Sequence, residues 1–229
     1  MALKPGSIAP KKFPDFVRNF EGAVGVANWL KQHHFDCAAP ANIADGNVWP
    51  KFKNAVEAYK GKEIKLFFDA DLTKESVKYE LPSEVRIHIP QSFNLCHRRF
   101  AVCKELTHVL MDQYFPAQDS SQGPLAQLIH SLMTTQYVIE SKRIAAELNP
   151  LFQLDVKLPS EPFCFLLTME ILIPVKDRDT IITDITVKNK NTFDVASHYR
   201  IPESLVIFFA KSGYNFIFKR MGGSEIKIK

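Results

Sequence analysis

Residues Arg98 to Asp112, RRFAVCKELTHVLMD, constrain this chain more than any other stretch. Phe100, Val102, Cys103, Leu106, Val109 and Leu110 recur at steps of three and four, the period of a helix with one side on a core. That helix fixes the geometry of its polar residues. Lys104 and His108 stand four apart, so they project from one face, a turn from each other. Glu105 sits beside Lys104 at the edge of that face.

The flanking segments supply a core and a sheet. A helical period starts at Phe13 and runs through Phe16, Val17, Phe20, Val24, Ala27 and Leu30 to the adjacent His33 and His34. Residues 37–47, with Pro40, Asp45 and Gly46, read as a connection. Trp49 to Tyr59 predicts a second helix, stopped by Gly61. The period then falls to two: Ile64, Leu66 and Phe68 alternate with polar neighbours, as do Val85, Ile87 and Ile89, with a third strand around Val77 and Tyr79. After the focal helix, Tyr114 to Pro124 reads as a loop and Leu125 to Leu148 as a helix ended by Asn149-Pro150. Ser160 is placed as the N-cap of a buried apolar helix with Glu161 and Pro162 in its first turn, stopped by Pro174. Asp194 to Tyr199 and Pro202 to Ser212 read as two short helices about a turn at Arg200-Ile201. Around Gly222-Gly223 the chain reads as a β-hairpin. The expected organisation is a loose lead-in over 1–12, one α+β domain over 13–213 and a hairpin over 214–229.

Composition excludes several classes. With 46% hydrophobic residues and 18 Phe the chain can bury a large core. Its net charge of +4, spread along the chain, is too mild for a nucleic-acid binder. The basic Lys219, Arg220, Lys227 and Lys229 and the paired helices near His198 to Leu205 keep nucleic-acid binding only as a disfavoured class. No apolar run reaches membrane-spanning length, and the first residues lack a signal-peptide core. Cys37, Cys96, Cys103 and Cys164 form no C-x-x-C pair and read as reduced, mostly buried thiols of a cytoplasmic protein.

The chemistry centres on Lys104-Glu105-Leu106-Thr107-His108. With histidine in place of Lys104 this would be H-E-x-x-H, in which two imidazoles one turn apart grip a zinc ion and the glutamate takes a proton from the metal-bound water. The wider sequence resembles the ImmA/IrrE family of zinc metallopeptidase-like domains. Arg98 to His108 matches the family's Arg-Phe-rich run into A-H-E-L-G-H. Glu161 to Pro174, EPFCFLLTMEILIP, matches its second motif, E-x-x-A-N-x-F-A-x-x-L-L-M-P, without a gap. Val195 to Val206 reads like the phrase that follows. The likeness covers about residues 50–215. Lys104 departs from the first ligand, Thr107 from a frequent glycine, and Cys164-Phe165 from Ala-Asn.

The resemblance implies a zincin-like α+β fold, with a small mixed sheet packed on the motif helix and helices around both. By position it implies His108 and Glu161 as metal ligands and Glu105 as the general base. Lys104 alters that chemistry. A protonated ammonium has no lone pair and repels a dication, and neutralising it works against a pKa of about 10.4. The expected arrangement is Lys104 near the metal position, paired with Glu161 and Glu105, so that no cofactor is required and the three positions are vestigial. The function implied is a catalytically inactive, regulatory protein-binding module. The alternative is an active zinc-dependent peptidase that cleaves a regulatory protein such as a transcriptional repressor. His97, Cys103, His130 and His198 are the candidates to complete a zinc site in that case, although Cys103 lies about 140° around the helix from His108. The expected partner is a protein or peptide, with a DNA-binding repressor as the class the resemblance suggests. Glu84 to Ile89, with Arg86 and His88, is the expected strand edge for a bound peptide.

Overall fold

The computed structural model describes residues 15–34, 48–72, 76–115, 157–173 and 175–206. The expected lead-in (1–12), the connection (37–47), the helix over 125–148, the hairpin over 214–229 and the chain past 206 lie outside these residues. Cys37 and His130 lie outside them too.

The architecture is α+β. Helix α1 spans Phe20–His34 and α2 Val48–Lys60. Strands β1 (Glu63–Asp69), β2 (Val77–Glu80) and β3 (Glu84–Pro90) follow, and then the motif helix α3 (Leu95–Met111). Beyond it come α4 (Ser160–Leu172), α5 (Val175–Thr186) and α6 (Thr192–Tyr199). The sheet is mixed, with order β1-β3-β2: β1 runs parallel to β3 and β2 antiparallel to it. Ile64, Val85, Ile87 and Ile89 are buried on its inner side. Helix α3 packs on β3, α2 and α4, and α1 packs on α4. The chain therefore buries α3 on several sides, which its sequence anticipates only for the main stripe.

Local chemistry sets the element ends. Asn94 caps α3, its side chain accepting from the His97 N–H at 2.9 Å. Helix α1 starts at Phe20, seven residues later than the period from Phe13 predicts. Its start is a fold-back in which the Asn19 N–H donates to the Val17 carbonyl and the Asn19 side chain accepts from the Gly22 N–H, both at 2.8 Å. The turn leaves Val17 66% exposed, outside the apolar stripe. It also requires a glycine at 22, because a Cβ there would lie 1.7 Å from the Val17 carbonyl oxygen.

Helix α4 is largely apolar, and every residue from Pro162 to Leu172 is buried, the polar Thr168 and Glu170 among them. Phe165 meets Phe100 of α3 with ring centroids 5.8 Å apart. Two polar features cross this core. Arg178 of α5 and Glu170 of α4, almost wholly buried, form an ion pair. Arg99 of α3 donates to the carbonyls of Tyr199 and Arg200 at 3.1 and 3.2 Å, satisfying the end of α6. There Arg200 takes a left-handed conformation with φ 53°. Sequence periodicity does not predict α5. No described helix is long and apolar enough to cross a membrane.

Candidate functional site

The site forms where α3 crosses the first turn of α4. Thr107 stitches the two helices together. Its hydroxyl lies 2.6 Å from the Lys104 carbonyl, 3.3 Å from the Cys164 carbonyl and 3.2 Å from the Thr168 hydroxyl. Thr168 in turn donates to the Cys164 carbonyl at 2.7 Å. A glycine at 107 would leave this seam without its central hydroxyl. The seam brings Glu161 over the face of α3 that carries Lys104 and His108.

Those three side chains meet. Lys104 Nζ donates to Glu161 Oε1 at 2.7 Å, and His108 Nε2 lies 2.7 Å from Glu161 Oε2. Each oxygen of one carboxylate thus faces one cationic side chain. Glu105 Oε1 lies 3.6 Å from the same ammonium and accepts from the Ser76 hydroxyl at 2.5 Å. The Ser160 hydroxyl lies 3.4 Å from His108 Nδ1. Side-chain exposure is 16% for Lys104 and Glu161, 13% for His108 and 7% for Glu105. Ser160 is the first residue of α4 rather than its cap. Pro159 holds the cap position, and the hydroxyl is free to face His108.

Electrostatics locks the protonation states. Burial opposes charge on Lys104, but Glu105 and Glu161 outweigh it and raise the ammonium's pKa above its ordinary value. Burial likewise opposes charge on His108. The sulfur of Cys164 and the Glu161 carboxylate overcome that and lift its pKa to about 10. Glu161 runs the other way: burial favours its neutral acid, and His108 and Lys104 hold it far below the usual carboxylate range. At neutral pH two cations therefore face the Glu161 carboxylate. Their combined charge of two equals that of a divalent ion.

This arrangement limits the chemistry. A catalytic zinc takes three protein donors and leaves a fourth position open. His108 and Glu161 are two donors, and the third position holds an ammonium. Among the described residues no group of three or more His, Cys, Asp and Glu side chains is placed to hold a metal ion. Among the described residues, this face therefore offers two donors and an ammonium rather than three donors. Cys103 is fully buried, and burial pushes its thiol to about 12. His97 lies at the start of α3 against Phe93, and His198 is exposed on α6. Ser160, His108 and Glu161 line up as a hydroxyl, imidazole and acid, but an imidazolium cannot accept the hydroxyl proton.

Arg86 and His88 lie elsewhere. Strand β3 is hydrogen-bonded on both sides, so these residues are on the outward face of the central strand and border no open edge. Arg86 pairs with Glu84 at 2.5 Å. His88 faces Asp69 at 3.3 Å and stacks on Phe67 with centroids 4.8 Å apart. The edge that reaches the site is β2, through Ser76. Sequence reasoning misses Ser76, which stands 29 residues from Glu105 in a segment with no motif. Comparison with protein-family models, with curated proteins and with solved structures finds no match in any of the three.

Proposed function

We propose that the chain is a degenerate, metal-free relative of the ImmA/IrrE metallopeptidase-like domains, with a zincin-like fold, and that it works as a regulatory protein-binding module. One observation carries the reading: Lys104 and His108, four apart on α3, both close on Glu161 at 2.7 Å. These are the three positions that a zinc site of this type would use. Lys104 stands where an imidazole would, and its charge, with that of a protonated His108, balances acids that a dication would otherwise hold. Such a site holds the helices together without supplying an activated water.

A module of this kind recognises backbone. Strand β2 is antiparallel to β3 and begins beside Glu105. The Leu81 N–H points to β3, donating to Glu84, so alternation turns the backbone groups of Lys78 and Glu80 to the edge that no described strand covers. A partner segment adds there as a strand, with no metal involved. A peptide of a DNA-binding repressor is the partner class that the resemblance supports.

Affinity capture with the full chain, run beside Lys78→Pro and Glu105→Gln, tests the proposal. Proline is tolerated at a sheet edge but removes the outward N–H. The proposal predicts a specific partner that is lost with Lys78→Pro, retained by Glu105→Gln and recovered uncut. A partner cleaved by the natural chain and spared by Glu105→Gln would establish the peptidase alternative instead.

A further inference from the structure

Among the described residues no strand covers the other edge of the sheet, β1, and we propose that it pairs with β1 of a second copy, antiparallel about a two-fold axis at Phe67. The backbone sets which groups are available. The Ile64 N–H turns away from β3 and donates to Glu57 Oε1 at 2.7 Å. The Asp69 carbonyl turns the opposite way and accepts from the Gln91 N–H at 2.9 Å, just past β3. Strand alternation then turns the N–H and C=O of Leu66 and Phe68 outward. Neither residue has a further backbone partner among the described residues. Because Glu57 already occupies Ile64, the open stretch runs from Lys65 to Asp69.

That stretch is self-complementary in one register. With the axis at Phe67, Leu66 of each copy lies opposite Phe68 of the other, and four main-chain hydrogen bonds form from unoccupied groups alone. Phe67 faces its own copy as a closely spaced pair that exchanges no backbone hydrogen bonds, and Lys65 lies opposite Asp69 on both sides. An axis at Leu66 sets Glu63 against Asp69 and needs the occupied Ile64 N–H. An axis at Lys65 sets lysine on lysine. The exposed aromatics fit the first register: Phe67 is 38% and Phe68 54% exposed. Lys65 keeps Glu84 and Glu63 at 2.5 and 3.4 Å, and Asp69 keeps His88 at 3.3 Å, so the pairing adds opposite charges at the rim without stripping either residue. A long edge with two exposed phenylalanines invites pairing, whereas β2 is four residues long and carries Lys78 and Glu80 outward. An isologous pair of β1 strands closes the sheet edge and stops at two copies.

Sedimentation equilibrium of the full chain at about 0.1 mM, where small interfaces associate, should give twice the chain mass. Phe67→Lys places two lysines on the axis and should give the single mass with an unchanged far-UV spectrum. A residue on the axis lies within disulfide reach of its own copy, so under mild oxidation Phe67→Cys should cross-link about tenfold faster than Phe68→Cys. A natural chain that stays at the single mass overturns the proposal. So does a Phe67→Lys dimer, or equal cross-linking of the two cysteine variants.

Discussion

Lys104, together with His108, holds Glu161 ionised. Remove the Lys104 charge and Glu161 faces only His108, in a site where side-chain exposure is about one sixth. Lys104→Met keeps the length of the stem and should destabilise the fold by about 3 kcal/mol, the usual cost of breaking a largely buried pair from one side. Its denaturation midpoint should fall with an unchanged slope. The pH dependence follows from the same contacts. His108 has a folded-state pKa raised from 6.5 to about 10. Its contribution is complete below 6.5, shrinks as pH rises above that value and is gone past about 10. Glu161 is depressed, so its contribution is present above its ordinary value of 4.5 and lost as pH falls below it. Stability should therefore peak between about 5 and 6.5 and decline on both sides. In His108→Gln the alkaline decline should largely vanish, and urea midpoints across pH would check this. Lys104 and His108 were legible in the sequence because four-residue spacing on a helix leaves one geometry, whereas Glu161 was reached only through the resemblance. Ser76 was not legible, since its contact with Glu105 is made by the fold alone.

At the scale of elements, pattern and capping explain most of the layout. The stripes of α2 and α3, the largely apolar α4 and the alternation of β3 follow their periods, and β1 and β2 form where strands are expected although Phe68 and Tyr79 are exposed. Three departures have physical causes. Helix α1 begins late because Asn19 and Gly22 build a cap that the apolar period does not report. Gly22→Ala should lower stability by about 1–3 kcal/mol, since the new Cβ must push away a backbone carbonyl rather than a side-chain tip. A thermal melt compared with Gly25→Ala, which meets nothing within 4 Å, separates this clash from a general glycine effect. Helix α5 has no clear stripe in its sequence and is held instead through the buried Arg178–Glu170 pair, a tertiary contact. Strand β3 is central rather than an edge because β2, though short, pairs on its far side. Period two identifies a strand, and nothing in it gives strand order.

Across the whole molecule, the proposed roles fall on separate surfaces. The seam of α3 and α4 holds the charge-balanced site, β2 borders it as the proposed partner edge, and β1 on the far side of the sheet is the proposed contact between copies. The proposed loss of peptidase chemistry rests on Lys104, which stands where the resemblance puts a metal ligand, so that residue decides the account. The most direct measurement is the zinc content of the purified, tag-free chain beside its Lys104→His variant. The account predicts no stoichiometric zinc in the natural chain and one zinc per chain in the variant, where the introduced imidazole joins His108 and Glu161 in a three-donor set. Stoichiometric zinc in the natural chain would contradict the role given to Lys104. A variant that still takes up no metal would contradict the descent of the site from a zinc centre.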